Sequence, residues 1–162
     1  MELRAIAPEI YIPFVCGHFE KRNRHIAPEN VEWVYRLFKG HTYYIQRTFN
    51  EAFADTSESE ECTREVIEEA IENMVASNDT IFREILSNIP EKQKALLYAI
   101  AKDDEARGIT SAEFIKRHSL PSPSSVQAAS KKLLEKDYIT EINKVYSLTD
   151  KLFAMWINRF CR

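Results

Sequence analysis

The stretch LPSPSSVQAASKKLLEK (120–136) decides how the second half of the chain is read. Ser119-Leu-Pro121 turns the chain, Ser122 stands where a helix cap belongs, and Pro123 suits a first helical turn. The spacing predicts a helix over 123–136 with Val126, Ala129 and Leu133 inward and Leu134 at the edge. Ser124, Ala128, Lys131 and Glu135 then face outward, flanked by Ser125, Gln127 and Lys132. Upstream, EKQKALLYAIAKD (91–103) reads as a helix with Leu96, Leu97 and Ile100 inward, and GIT (108–110) as a short strand. Thr110-Ser-Ala-Glu113 has the spacing of a capping box opening a helix that buries Phe114 and Ile115. Downstream, YITEINKVYSLTD (138–150) carries two β-rich runs, Tyr138–Thr140 and Val145–Leu148, around a polar turn of about four residues. Asp150 then caps a last helix with Leu152, Phe153, Trp156, Ile157 and Phe160 on one side. Helix, strand, helix, turn, helix, hairpin is the order of a winged helix-turn-helix domain.

The first half reads as helices. Tyr11, Ile12, Val15 and Phe19 return at helical spacing, and so do Val31, Val34, Tyr35 and Phe38 after Pro28. Gly40 is placed to end that second helix in a left-handed conformation. Thr42 can cap a third helix with Ile45, Phe49, Ala52 and Phe53 inside. DTSESEEC (55–62) is the best candidate for a linker or exposed loop. A fourth helix turns Val66, Ile67, Ala70, Ile71 and Met74 inward and Glu65, Glu68, Glu69 and Glu72 outward. Ile81, Phe82, Ile85, Leu86 and Ile89 make a fifth, closed by Pro90. The expected fold is mainly α: a helical bundle over 1–76, then the winged domain over 77–162, with helix 80–89 as connector.

The totals agree with a globular chain of one domain or two small ones. It has 162 residues, 44% of them hydrophobic and only 3 of them glycine. No apolar run approaches the ~20 residues that cross a bilayer. The first residues lack the basic-then-apolar order of a signal peptide. Cys16, Cys62 and Cys161 are odd in number and far apart, which points to a reducing compartment, hence the cytoplasm, with no membrane association. Residues 1–80 hold 8 basic and 15 acidic side chains, net −7, whereas 81–162 hold 14 and 10, net +4. Such a sign change suggests two modules with different partners.

Chemistry-bearing patterns are few. No GxxxxGK[ST] phosphate loop, HExxH, GxSxG or paired CxxC occurs, so a catalytic centre is not expected. Cys16, His18 and His25 do not make a metal-ligand set, and no metal is expected. Glu20-Lys-Arg-Asn-Arg24 reads as a solvated basic loop. On the helix 123–136 the small residues Ser124, Ser125 and Ala128 permit close approach. Gln127 could read an adenine edge, and Lys131, Lys132 and Lys144 could meet phosphates of double-stranded DNA. Glu135 would repel those phosphates, and no arginine lies on the face, so a protein partner is the competing reading. In Gly40-His-Thr-Tyr-Tyr-Ile-Gln46 the two tyrosines read from chemistry alone as packing aromatics with wet hydroxyls, and His41 as a hydrogen-bonding group beside a cap.

Several of these segments carry a family resemblance. Phe19, Arg24-His-Ile26, Glu29, Tyr35 and GHTYYIQ (40–46) resemble the lid of archaeal-type P-loop ATPases of the AAA+/STAND group, also found in Bacteroides-like bacteria. There a GHPYYxQ-like motif opens a lid helix. PEKQKALLYAIAK (90–102), GITSAEFIKRHSLPSPSSVQAASKKLLEKDYI (108–139) and VYSLTDKLFAMWI (145–157) resemble the winged helix that follows this lid. Thr42 replaces a proline common in the family, and the P-loop core with its Walker motifs is missing from the sequence. The resemblance implies a non-catalytic C-terminal region of an ATPase, coupling a nucleotide-sensing lid to a winged helix that contacts DNA or protein. It further implies that Gly40, His41, Tyr43 and Tyr44 face the nucleotide or the core. ATP and Mg would belong to the full-length protein and no cofactor to this chain, whose first partner is its own P-loop core. The alternatives are a free-standing winged-helix transcription regulator that binds DNA, and an adaptor with an exposed apolar patch on helix 1–22 or 150–160.

Overall fold

The computed structural model describes residues 5–161. They separate into two compact units that divide between Met74 and Val75, inside one helix.

In the first unit, Pro8 opens α1 (Pro8–Glu20), whose Tyr11, Val15 and Phe19 are buried. β1 (His25–Ile26) leads into α2 (Pro28–Leu37), again with proline at the first turn. α3 (Thr42–Ala54) buries Ile45, Phe49 and Ala52, and α4 (Arg64–Ser77) buries Ile67, Ala70 and Met74. Burial of each large apolar side chain contributes about 2–3 kcal/mol.

Of the two readings of 55–62, a linker or an exposed loop, the second fits: all but Thr56 and Cys62 are exposed, and the loop is tied into this unit. β2 (Glu61–Cys62) pairs in parallel with β1, His25 opposite Glu61 and Ile26 opposite Cys62. Cys62 and Thr56 are buried, and Arg24 Nε donates to the Thr56 carbonyl at 2.6 Å. Ser59 N donates to the Asn23 carbonyl at 2.7 Å, and the Asn23 amide reaches Ser59 Oγ at 2.9 Å. Polarity in 55–62 therefore marks a strap whose backbone is satisfied by the 23–26 turn. The basic cluster is likewise structural at its end, since the Arg24 guanidinium lies 4.4 Å above the Phe53 ring.

The second unit begins in α4 and continues with α5 (Asp79–Ser87), α6 (Glu91–Asp103), β3 (Ala106–Arg107) and α7 (Ala112–Arg117). α8 (Pro123–Glu135), β4 (Ile139–Ile142), β5 (Val145–Leu148) and α9 (Lys151–Phe160) complete it. The strands form one antiparallel sheet in the order β3-β5-β4. The chain is mainly helical and this unit carries a winged helix-turn-helix fold.

Four local expectations shift. The strand lies at Ala106–Arg107 rather than 108–110, because Gly108 takes φ +57° and turns the chain. Ser111, not Thr110, caps α7, its hydroxyl accepting from Phe114 N. The hairpin turn has two residues, not about four. Asn143 and Lys144 both take positive φ, so Glu141 and Ile142 join the ladder. Ile81 and Phe160, expected inside, are 55% and 43% exposed. Phe82 and Trp156 instead hold α5 and α9 together around Phe153, and the Trp156 indole donates to Asp79 at 2.9 Å. The expected caps at Ser122 and Asp150 are in place.

Among the described residues no helix is long and apolar enough to cross a membrane. The three cysteines are free, and burial pushes each thiol above its ordinary pKa.

Candidate functional site

Two faces, one in each unit, carry the residues singled out from sequence. The first is the outer side of α8. Ser122 Oγ accepts from Ser125 N at 3.2 Å, and Val126, Ala129 and Leu133 are buried against the unit's interior. This fixes the helix rotation, so Ser124, Gln127, Ala128, Lys131, Lys132 and Glu135 are exposed and Ser125 is half-buried. Ser130 turns its hydroxyl back onto the Gln127 carbonyl at 2.8 Å. The expected face is therefore assembled, with Lys144 in the adjoining wing turn.

Its electrostatics are weaker than three lysines suggest. Lys132 Nζ pairs with Glu135 at 3.2 Å, which neutralises one of them locally. Glu141 stands opposite Tyr146 in the β4–β5 register. Both line the groove between α8 and the wing, with Ser124, Gln127 and Lys144. Burial, then the Glu141 carboxylate, pushes the Tyr146 phenol above its ordinary pKa. Glu135, Lys131 and Tyr146 also share the groove's other end. Sequence reasoning missed Glu141 and Tyr146. The signal that could have found them is Asn143-Lys144 read as a two-residue turn, which puts residues 141 and 146 opposite one another.

The second face is the corner between α2 and α3. α2 ends with Gly40 N donating to the Tyr35 carbonyl at 3.0 Å and Lys39 N to the Arg36 carbonyl at 3.1 Å, so two orphan carbonyls are satisfied. Lys39 shares the left-handed conformation expected for Gly40, at φ +51° against +74°. A Cβ at Gly40 would stand 3.0 Å from Tyr35 Oη and 3.1 Å from Ala5 Cβ, so glycine is required here on two counts. His41, rather than Thr42, takes the cap position of α3, and no side chain caps the helix. The His41 ring stacks on Tyr44 at 5.0 Å, Tyr44 leans on Phe38 at 5.5 Å, and Tyr43 meets Tyr44 edge-on at 5.5 Å. Tyr43 is 60% exposed, with Arg47 Nη1 3.4 Å from its hydroxyl. The structure thus brings the four together at one corner, with His41 and Tyr43 exposed, Tyr44 half-buried and Gly40 buried beneath them.

The Cys16, His18 and His25 side chains have separate roles. Cys16 Sγ reaches the Ile26 carbonyl at 3.7 Å, His18 packs on Phe53 at 5.3 Å, and His25 lies on the exposed side of β1. Among the described residues no group of three or more His, Cys, Asp or Glu could hold a metal ion.

Residues 80–159 match the family model described as "Probable winged helix domain". The second unit contains a winged helix by sequence as well as by shape. A solved structure with the same fold is the Walker-type ATPase of Pyrococcus abyssi. It is similar at 17% identity and a TM-score of 0.67, over 95% of this chain and 42% of that one. The chain therefore spans less than half the length of that ATPase. No curated protein matches the sequence.

Proposed function

We propose that the chain is the non-catalytic, nucleotide-sensing and partner-contacting region of a cytoplasmic P-loop ATPase. The observation that carries this reading is the fold it shares, over 95% of its length, with part of a Walker-type ATPase. The lid-like bundle (1–76) meets the ATPase core through the corner of Gly40, His41, Tyr43 and Tyr44, and the winged domain (77–162) passes the nucleotide state to a partner. ATP and Mg bind in that core, because no phosphate loop occurs in this sequence. A photo-reactive benzoylphenylalanine at Tyr43, in cells of the source organism, tests the corner. Cross-linked peptides from a P-loop domain are expected, and their absence overturns the reading.

For α8, Glu141 offsets one of Lys131 and Lys144 and Glu135 holds Lys132, and the single positive charge left over favours a protein partner over duplex DNA. Titration of a labelled random-sequence duplex at 50 mM salt tests that preference. Weak binding that Lys131→Glu/Lys132→Glu leaves unchanged is expected. A salt-sensitive affinity abolished by that variant would instead support the DNA-binding regulator.

A further inference from the structure

The face of α1 that turns away from its own bundle carries large apolar side chains, as does the face it buries. Tyr11, Val15 and Phe19 are inside. Ile10 and Phe14, four apart and so stacked along one side of the helix, are 67% and 70% exposed, and Ile6, in the segment that leads into α1, is 47% exposed. Glu9 and Glu20 are exposed on the same helix, and the apolar surface left between them has no cover within the first unit. Pro8 and Pro13 flank the stripe, and the prolines spread the apolar surface without adding a polar group. The stripe is also anchored to the aromatic corner. Tyr35 Oη donates to the Ile6 carbonyl at 2.7 Å, Tyr35 packs 6.0 Å from Tyr11, and Ala5 lies against Gly40. The segment that carries the stripe is thus tied to the end of α2, directly before the aromatic residues of the corner.

We infer that Ile6, Ile10 and Phe14 are the anchor by which this unit docks on a P-loop nucleotide-binding domain, a contact additional to the His41–Tyr44 corner. The inference rests on the ATPase reading above. Size selects this occupant. The three side chains offer on the order of 400 Å² of apolar surface, about half of the roughly 800 Å² per partner in a stable free-standing complex. A pair of identical α1 faces would be a weak dimer. A partner that already holds the neighbouring corner supplies the missing area and a high effective concentration.

The test places benzoylphenylalanine at Phe14 in the full-length protein in the source cells, beside the Tyr43 probe. Phe14 cross-links to peptides of a P-loop domain are expected, with at least a fivefold loss of cross-link yield from the Phe14 probe in an Ile10→Asp background. Cross-links from Tyr43 but not from Phe14 overturn this inference and leave the ATPase reading standing. Cross-links from neither position overturn both. Phe14 cross-links to residues of this same sequence overturn it in favour of a second copy or of the chain's own second unit. Circular dichroism of Ile10→Asp separates loss of contact from loss of folding, and native helicity is expected because Ile10 is exposed.

Discussion

α1 and α8 are built alike and finish differently. Each runs 13 residues, starts on a proline in its first turn and buries one face of its own unit. The outward side of α1 is Ile10 and Phe14, whereas that of α8 is Ser124, Gln127, Ala128, Lys131 and Glu135. Covering Ile10 and Phe14 strips water from apolar side chains, which is favourable with any apolar partner that leaves Glu9 and Glu20 in water. Covering the α8 face removes water from hydroxyls, an amide and charges, so only a partner that replaces those hydrogen bonds gains by it. One helix suits a permanent neighbour and the other a selective one. The same helical geometry yields both because the buried stripe fixes the fold and leaves the opposite stripe free to specify the partner.

The comparison is tested most severely by emptying a buried position on one helix and an exposed position on the other. Leu133→Ala in α8 removes a side chain with no exposure and should destabilise the second unit by about 3 kcal/mol. Phe14→Ser in α1 should leave stability within about 0.5 kcal/mol and raise solubility. Denaturant melts followed by tryptophan fluorescence separate the units, since Trp33 reports on the first and Trp156 on the second. A Phe14→Ser loss as large as that of Leu133→Ala would mean α1 buries its outer face within the chain.

These positions also show what the sequence made legible. Helical spacing placed Val126, Ala129 and Leu133 inside and Lys131 and Glu135 outside, because a periodic pattern sampled over 13 residues averages over local error. Proline and Asp150 fixed helix starts for the same reason that caps do: they satisfy or remove orphan amides. Two-residue elements escaped. β1 and β2 are joined across 36 positions, and nothing local in His25-Ile26 or Glu61-Cys62 announces a partner. Ile81 and Phe14 were equally opaque, since an apolar residue on a helix does not say whether its cover lies in the same chain. The α8 face was legible residue by residue, but its near neutrality was not, because Glu141 reaches the groove only through the hairpin register.

Smaller effects sharpen the contrast between the two entrances. Gly40→Ala should cost the first unit about 2 kcal/mol, because φ is +74° and the added methyl meets Tyr35 Oη and Ala5 Cβ. Ser122→Ala should cost the second unit about 1 kcal/mol by releasing the Ser125 amide. Trp33 and Trp156 fluorescence should report them separately. An equal or reversed order would show that the α2–α3 corner adapts more readily than a helix cap.

The smallest effect lies in acid and singles out the α5–α9 contact. Arg83 Nε and the Trp156 indole each donate to Asp79 at 2.9 Å, and these hydrogen bonds, the Arg83 one foremost, hold the Asp79 carboxyl below its ordinary pKa. A carboxylate depressed in the folded state contributes stability that is complete above its unfolded value, about 3.9, and is lost as pH falls through the lower folded value. The second unit should therefore weaken below about pH 4 more steeply in the native chain than in Asp79→Asn. The asparagine keeps an oxygen for the indole but gives up the Arg83 pair, so the variant removes the titrating group while retaining the Trp156 hydrogen bond. Arg83 is exposed and water screens the pair, which makes the effect small. Trp156 fluorescence between pH 5 and 2 measures it, and superimposable curves for the two proteins would show that the carboxylate contributes only as an acceptor.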